Sequence, residues 1–163
     1  LYRVLNDTPA SPVAPNTEQS AQPVVACIDL INTDGKQVKA IDSVANDTGT
    51  VILFIFSKPC APCNNNLFFW NKTAKIKAPG FKTYGVIRSD INGLLDFSRQ
   101  KKAKFDLYIP VDLVDFERRF RIAGNQPLTA VIKNNRLVFE KKGLLYAEDY
   151  FDIKKHLKGD TQP

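Results

Sequence analysis

Two cysteines, Cys60 and Cys63, stand two residues apart and follow an apolar run at residues 51–56. Six consecutive apolar residues predict a strand that is buried on both faces. The residues after Cys63 have apolar side chains at helical spacing, so the pair lies where a helix begins. A strand, a short turn and Cys-x-x-Cys at the head of a helix are typical of a thiol–disulfide redox site.

The head of a helix favours a thiolate, because its partial positive charge and its unpaired N–H groups both stabilise an anion. The pKa of a cysteine placed there falls, which makes it the better nucleophile. Pro62 fits just inside the helix start, where its missing N–H costs nothing, and Lys58 adds positive charge. We therefore predict Cys60 as the attacking thiol and Cys63 as the resolving thiol.

These residues resemble the thioredoxin superfamily, and the order of the elements is most similar to its TlpA/ResA-like extracytoplasmic branch, over about residues 24–157. The resemblance implies an α/β fold, a thioredoxin-like three-layer sandwich with a mixed central sheet and an added N-terminal β-hairpin. It also implies a thiol–disulfide oxidoreductase that reduces disulfides of extracytoplasmic proteins and needs no metal or organic cofactor. The expected partners are disulfide- or dithiol-containing proteins and an upstream membrane or soluble thiol reductant.

Pro127 stands just before the first strand of a closing hairpin, where a residue without an N–H must lie at a strand start or edge. By resemblance this proline is cis and faces the cysteine pair, and the backbone of Gln126 pairs with an extended substrate segment. The alternative is an ordinary trans turn proline. The residues around the cysteines, Pro59, Ala61 and Pro62, complete the predicted substrate-binding rim.

Three positions depart from the family pattern. Phe54 stands where thioredoxins carry a buried acid, Asn66 where the TlpA-like branch often has Glu, and Pro59 where thioredoxins have Trp. The group that accepts the proton of Cys63 is therefore not identified from the sequence.

The rest of the chain predicts strands alternating with helices and two hairpins. Asp34-Gly35 and Asn134-Asn135 are the hairpin turn signals. The predicted elements are strands at 24–32, 37–41, 81–88, 107–110, 128–133 and 136–140, helices at 91–102, 113–120 and 147–157, and a short helix at 41–46 before a turn at 47–49. In the last helix, Tyr150, Phe151, Ile153 and Leu157 are expected to pack inward.

Residues 1–23 contain four prolines among polar side chains, so we predict an extended linker or tail there and the thioredoxin-like domain at 24–163. A terminus without a role is the alternative. The sequence has no Met and begins at Leu1, which indicates a processed or truncated form. An upstream signal sequence or lipid anchor therefore stays open, and with it a membrane tether in the periplasm or facing it.

The net charge of +6 does not indicate nucleic acid, because basic and acidic residues are interleaved and no binding motif accompanies them. The densest basic group is predicted to be the solvated face of a helix: Arg99, Lys101, Lys102 and Lys104. Cys27 is expected to be a small buried residue in an early strand, with a third redox thiol as the alternative. A zinc site would need further ligands, and only Cys27 and His156 are candidates.

A second function class remains open, a non-catalytic binding module that docks a protein partner near the cis-Pro loop and Trp70. The aromatic row Phe68, Phe69 and Trp70 cannot all face the core of one helix. At least one of these rings should reach the surface, either as a partner patch beside Cys60 or packed under the N-terminal hairpin.

Overall fold

The computed structural model describes residues 27–41, 49–57 and 61–157 of the 163-residue chain. The predicted tail, the short helix and turn between the second and third strands, and Pro59 and Cys60 lie outside the described residues, apart from Ile41 and Gly49. Seven strands and four helices are described: β1 (Ile28–Asn32), β2 (Gln37–Ile41), β3 (Thr50–Phe56), α1 (Ala61–Ala74), β4 (Phe81–Ile87), α2 (Ile91–Arg99), β5 (Leu107–Pro110), α3 (Leu113–Arg119), β6 (Leu128–Lys133), β7 (Arg136–Lys142) and α4 (Ala147–Leu157).

The strands form one sheet in the order β2-β1-β5-β4-β3-β6-β7. The pairs β3–β4 and β4–β5 are parallel, and the other neighbours are antiparallel. The predicted mixed sheet is thus confirmed, with the N-terminal hairpin added at one edge. β3, which leads to the cysteines, lies inside the sheet and pairs on both sides.

β3 is buried on both faces, as its continuous apolar run predicts. Ile52, Phe54 and Phe56 pack with α1, α2 and α4, and we call this side of the sheet the α1 face. Alternate residues of the strand point the opposite way. Val51, Leu53 and Ile55 therefore pack with α3 and the N-terminal hairpin, on the side we call the α3 face. The domain has three layers, helices on both faces of a sheet.

Both hairpin turns form where their turn residues predict them. Asn134 and Asn135 adopt positive φ angles of 51° and 59° and link Lys133 directly to Arg136. Two central residues with φ above zero match the right-handed twist of the flanking strands. At the N-terminal hairpin Gly35 has φ of 75°, and the Asn32 side chain accepts hydrogen bonds from two turn N–H groups.

Two expectations about helices are wrong. α2 ends at Arg99, so the basic residues at 101, 102 and 104 lie beyond the helix, although all four of the group are exposed as predicted. Lys101 has a φ of 52°, a left-handed conformation that no helix continues. On α4, Phe151 does not pack inward but is 57% exposed, whereas Ile153 and Leu157 are buried.

Candidate redox site

The head of α1 holds Cys63. The helix begins at Ala61, with Pro62 as its second residue, and no acidic side chain in the first turn neutralises its positive end. Cys63 is buried and disulfide-bonded, and its Sγ lies 3.9 Å from the carbonyl oxygen of Ser57 at the end of β3. One half of the predicted cysteine pair is therefore where the sequence places it, in a helix head against the strand that precedes it. Its predicted partner Cys60 is not among the described residues.

Pro127 and Gln126 lie beside the carboxyl end of β3, where Ser57 contacts Cys63. β3 and β6 are antiparallel, and their last pair is Ile55 with Leu128. Continuing that register by two residues sets Pro127 opposite Phe56 and Gln126 opposite Ser57. Pro127 is buried and Gln126 is exposed. The predicted substrate-binding residues thus approach the strand end that also contacts Cys63.

The position of the thioredoxin acid is filled by packed rings. Phe54 is completely buried, stacks on Trp70 at 5.4 Å between ring centroids, and lies 4.8 Å from the ring of Phe105. Trp70 Nε1 donates to Thr129 Oγ1 at 2.8 Å, so its one polar atom is satisfied. The interior below the helix head is therefore aromatic at this point.

The second departure, Asn66, is also completely buried. Among the described residues the only buried acid is Asp149, whose carboxylate already accepts from Tyr146 N–H at 2.9 Å and pairs with Lys141 Nζ at 3.3 Å. The proton acceptor of Cys63 stays unassigned.

Sequence reasoning missed two groups near the carboxyl end of β3, Ser57 and Arg88. The buried hydroxyl of Ser57 has no hydrogen-bond partner among the residues that the structure describes, although its carbonyl oxygen contacts Cys63. Arg88 follows β4, and its backbone N–H donates to Phe56 O at 2.8 Å. Its guanidinium pairs with Glu117 at 2.6 Å and donates to Gly124 O at 2.6 Å, which anchors the segment that leads to Gln126. Arg88 and Gly124 are 36 positions apart in the chain, so no short sequence pattern predicts their contact.

The aromatic row on α1 divides between surface and core. Phe68 is 59% exposed, Phe69 is half-buried against Tyr150 of α4, and Trp70 is completely buried. The expectation that one ring reaches the surface is confirmed. Packing under the N-terminal hairpin is wrong for the described residues, because Phe69 contacts Tyr150 of α4 and Trp70 packs against the rings of Phe54, Phe56 and Phe105. Trp70 offers no docking surface, which corrects that part of the binding-module hypothesis.

Cys27 forms no disulfide and lies half-buried just before β1, so the expectation of a buried residue within an early strand is wrong. Its carbonyl oxygen accepts from Arg119 Nη1 at 2.7 Å. His156, near the end of α4, lies 6.5 Å from the ring of Phe139. Within residues 27–41, 49–57 and 61–157, no group of three metal-ligating side chains comes together.

The resolved pKa shifts lie on β5, α3 and α4. Burial, with the nearby Asp106, raises the pKa of Tyr108. The hydrogen bond from Arg118 lowers the pKa of Asp115, and that from Lys155 lowers the pKa of Asp152.

Comparison with solved structures identifies the fold. A thiol:disulfide interchange protein from Bacteroides sp. is similar over 88% of this chain and 93% of its own, with a TM-score of 0.69 and 18% identity. The thioredoxin domain of a thiol–disulfide oxidoreductase from Bacteroides vulgatus covers 86% of this chain and 99% of its own, with a TM-score of 0.64 and 18% identity. This chain has the thioredoxin-like fold.

A third similar structure is that of a secreted disulfide oxidoreductase from Mycobacterium tuberculosis, similar over 80% of this chain and 93% of its own, with a TM-score of 0.59 and 13% identity. No protein-family model and no curated protein matches the sequence. In the part of this thioredoxin-like chain that the structure describes, no helix is both long enough and apolar enough to cross a membrane. Because one fold hosts many reactions, the chemistry must be argued from the site.

Proposed function

We propose that this protein is a thiol–disulfide oxidoreductase that reduces disulfides of extracytoplasmic proteins through Cys60 and Cys63. The observation that carries the proposal is Cys63 itself, a disulfide-bonded cysteine in the first turn of a helix that has no acidic residue at its head. A disulfide joined to the positive end of a helix is poised for exchange, because the released thiolate is stabilised there.

We propose Cys60 as the partner of Cys63 in that disulfide. Of the three cysteines in the chain, Cys27 forms no disulfide, which leaves Cys60, three positions before Cys63. The burial of Cys63 supports its role as the resolving thiol, since a buried sulfur is shielded from a foreign disulfide.

In the proposed reaction the Cys60 thiolate attacks one sulfur of a target disulfide and the other target sulfur leaves as a thiolate. Cys63, as a thiolate, then attacks the sulfur of Cys60 and expels the first target sulfur. Each target thiolate takes up a proton from solvent. Two electrons pass to the target, which becomes a dithiol, and the protein is left with a disulfide. An upstream dithiol reductant must return it to the reduced form.

The proposed substrate contact is the segment that ends at Pro127. An exposed Gln126 beside the end of β3 has backbone groups that an extended peptide could pair with, as in strand addition. Pro59, Ala61 and Pro62 would form the rest of the rim, and Pro62 is exposed. A cis bond at Pro127 belongs to this proposal.

We also propose an extracytoplasmic location. The thioredoxin-like fold and the neighbour described as secreted support it. Cell fractionation of the full-length protein would test it, and recovery in the cytoplasm alone would contradict it.

The reaction is tested by equilibrating the protein across a series of glutathione ratios, trapping thiols by alkylation and weighing the products. Wild type should show one two-electron transition, retained in Cys27→Ser. Cys60→Ser and Cys63→Ser should each lose it while keeping the fold. A transition that persists without Cys60, or none in wild type, would refute the proposal.

The same variants separate the enzyme from a binding module. Cys60→Ser should lose the reduction of a disulfide-bonded protein such as insulin. If wild type reduces no disulfide, and if wild type and Cys60→Ser bind a protein partner with equal affinity, a non-catalytic binding module is the better description.

A further inference from the structure

Asn66 lies on α1 three residues after Cys63, so the two side chains occupy the same side of the helix. Asn66 is completely buried, and a buried amide is costly unless both its donor and its acceptor are paired. Its Nδ2 donates to Gly143 O at 2.8 Å, and its Oδ1 accepts from Leu145 N–H at 2.8 Å. Both ends of this side chain therefore hold the loop between β7 and α4.

That loop in turn holds the proline. The N–H of Gly143 donates to Pro127 O at 2.7 Å. Gly143 has a φ of 88°, a conformation that side chains other than glycine rarely adopt. One residue therefore turns its carbonyl to Asn66 and its N–H to Pro127. Two hydrogen bonds, Asn66 to Gly143 and Gly143 to Pro127, connect the cysteine helix with the predicted substrate strand.

We propose that Asn66 is a positioning residue, which sets the backbone of Gln126 and Pro127 relative to the sulfur pair. The inference rests on the proposed function. An extended substrate needs that backbone at a fixed distance from Cys60, whereas a small disulfide needs only access to the thiolate. Loss of Asn66 should therefore lower the rate with an extended substrate selectively.

A matched control lies five residues further along α1. Asn71 holds another loop in the same way, since its Nδ2 donates to Lys102 O at 3.0 Å and its Oδ1 accepts from Lys104 N–H at 2.7 Å. That loop lies between α2 and β5 and no described hydrogen bond joins it to Pro127. Asn71→Ala removes the same two kinds of bond and leaves the proline segment held.

The test measures single-turnover release of glutathione by pre-reduced protein from two disulfides with the same leaving group. One is oxidised glutathione, and the other is a short extended peptide whose cysteine is disulfide-bonded to glutathione. Asn66→Ala removes both hydrogen bonds that hold the loop and should lower the second-order rate constant for the peptide about tenfold, with less than a threefold change for oxidised glutathione. Asn71→Ala should leave the ratio of the two rates unchanged.

A conservative variant guards against a folding defect. In Asn66→Asp a protonated carboxyl can still donate to Gly143 O and accept from Leu145 N–H, but an ionised one cannot donate. Burial raises the pKa of such a carboxyl, so the peptide-to-glutathione rate ratio should match wild type at about pH 5 and fall at about pH 8.5. The ratio cancels the ionisation of the attacking thiol, which both substrates share.

Equal loss with both disulfides, no loss with either, or the same selective loss in Asn71→Ala would overturn the inference. So would a pH-independent ratio in Asn66→Asp. Hydrogen exchange at the Gly143 amide gives a readout without activity, because that N–H should lose protection in Asn66→Ala and keep it in Asn71→Ala. If protection changes as expected but wild type exchanges no disulfide, the proposed function fails while the link from Asn66 to Pro127 stands.

Discussion

The two faces of the sheet are built differently. The described residues include four buried polar side chains, Asn66, Thr73, Thr129 and Asp149, and all belong to α1, to α4 or to the strand position that binds Trp70. The core of the α3 face is built from aliphatic side chains with the ring pair Phe116 and Phe120. Apolar packing tolerates small rearrangements, but a buried polar group must meet its partner at a set distance and angle. The face that carries Cys63 therefore holds the fully buried polar groups that fix its geometry, whereas the polar link to α3, from Arg88 to Glu117, is only partly buried.

The largest expected effect is at Phe54, in the centre of the α1 face. Phe54→Ala should lower the free energy of unfolding by about 3–5 kcal/mol, because it removes a ring that contacts both Trp70 and Phe105 and leaves a cavity. Urea unfolding followed by tryptophan fluorescence measures the loss. On the α3 face, Ile55→Val removes a single methylene and should cost only about 0.5–1.5 kcal/mol, so it serves as a mild core substitution for reference. A loss for Phe54→Ala no larger than that of Ile55→Val would contradict the tight packing of the ring between Trp70 and Phe105.

The next effect concerns the hydrogen bond between Trp70 and Thr129. Thr129→Val has nearly the same shape but leaves the buried indole N–H without an acceptor, which should cost about 1–3 kcal/mol. Thr129→Ser keeps the hydroxyl and should retain the bond, visible as an unchanged indole N–H chemical shift. Equal stability of the valine variant and wild type would mean that polar cross-links do not pin the α1 face.

The smallest effect belongs to the α3 face, at Asp115. The hydrogen bond from Arg118, and then that from Arg119, hold the pKa of this carboxyl below its usual value. Its stabilising contribution is therefore present above the unfolded-state pKa and is lost as the pH falls through the folded-state pKa. Because Asp115 and its two arginine partners lie on the surface, Asp115→Asn should lower the melting temperature only slightly at neutral pH. On acidification the melting temperatures of the variant and of wild type should converge. A difference that grows towards acid pH would contradict this sign.

Short-range patterns predicted most of the fold. The apolar run of β3, the Asn134-Asn135 turn and the closing helix at 147–157 all form where the sequence places them. Each depends on residues within one or two turns of one another, through side-chain alternation, positive φ or helical spacing. The errors occurred where tertiary packing decided, as in the exposure of Phe151 and the early end of α2.

The candidate site divides in the same way. The sequence placed Cys63 at the head of a helix and Pro127 before the strand that pairs with β3. The fold brings both residues to the carboxyl end of β3. It did not find the role of Asn66, which differs from the expected glutamate and whose partners lie 77 and 79 residues away.

The sequence alone determined the chemical groups of this protein and their local setting: a Cys-x-x-Cys pair whose second cysteine lies at a helix head, with apolar and turn residues that specify the elements around it. The tertiary structure decided which groups meet, because hydrogen bonds such as that of Gly143 with Pro127 form only after the sheet and helices have packed. Local propensity is encoded in neighbouring residues, whereas the distance between two loops depends on every layer between them.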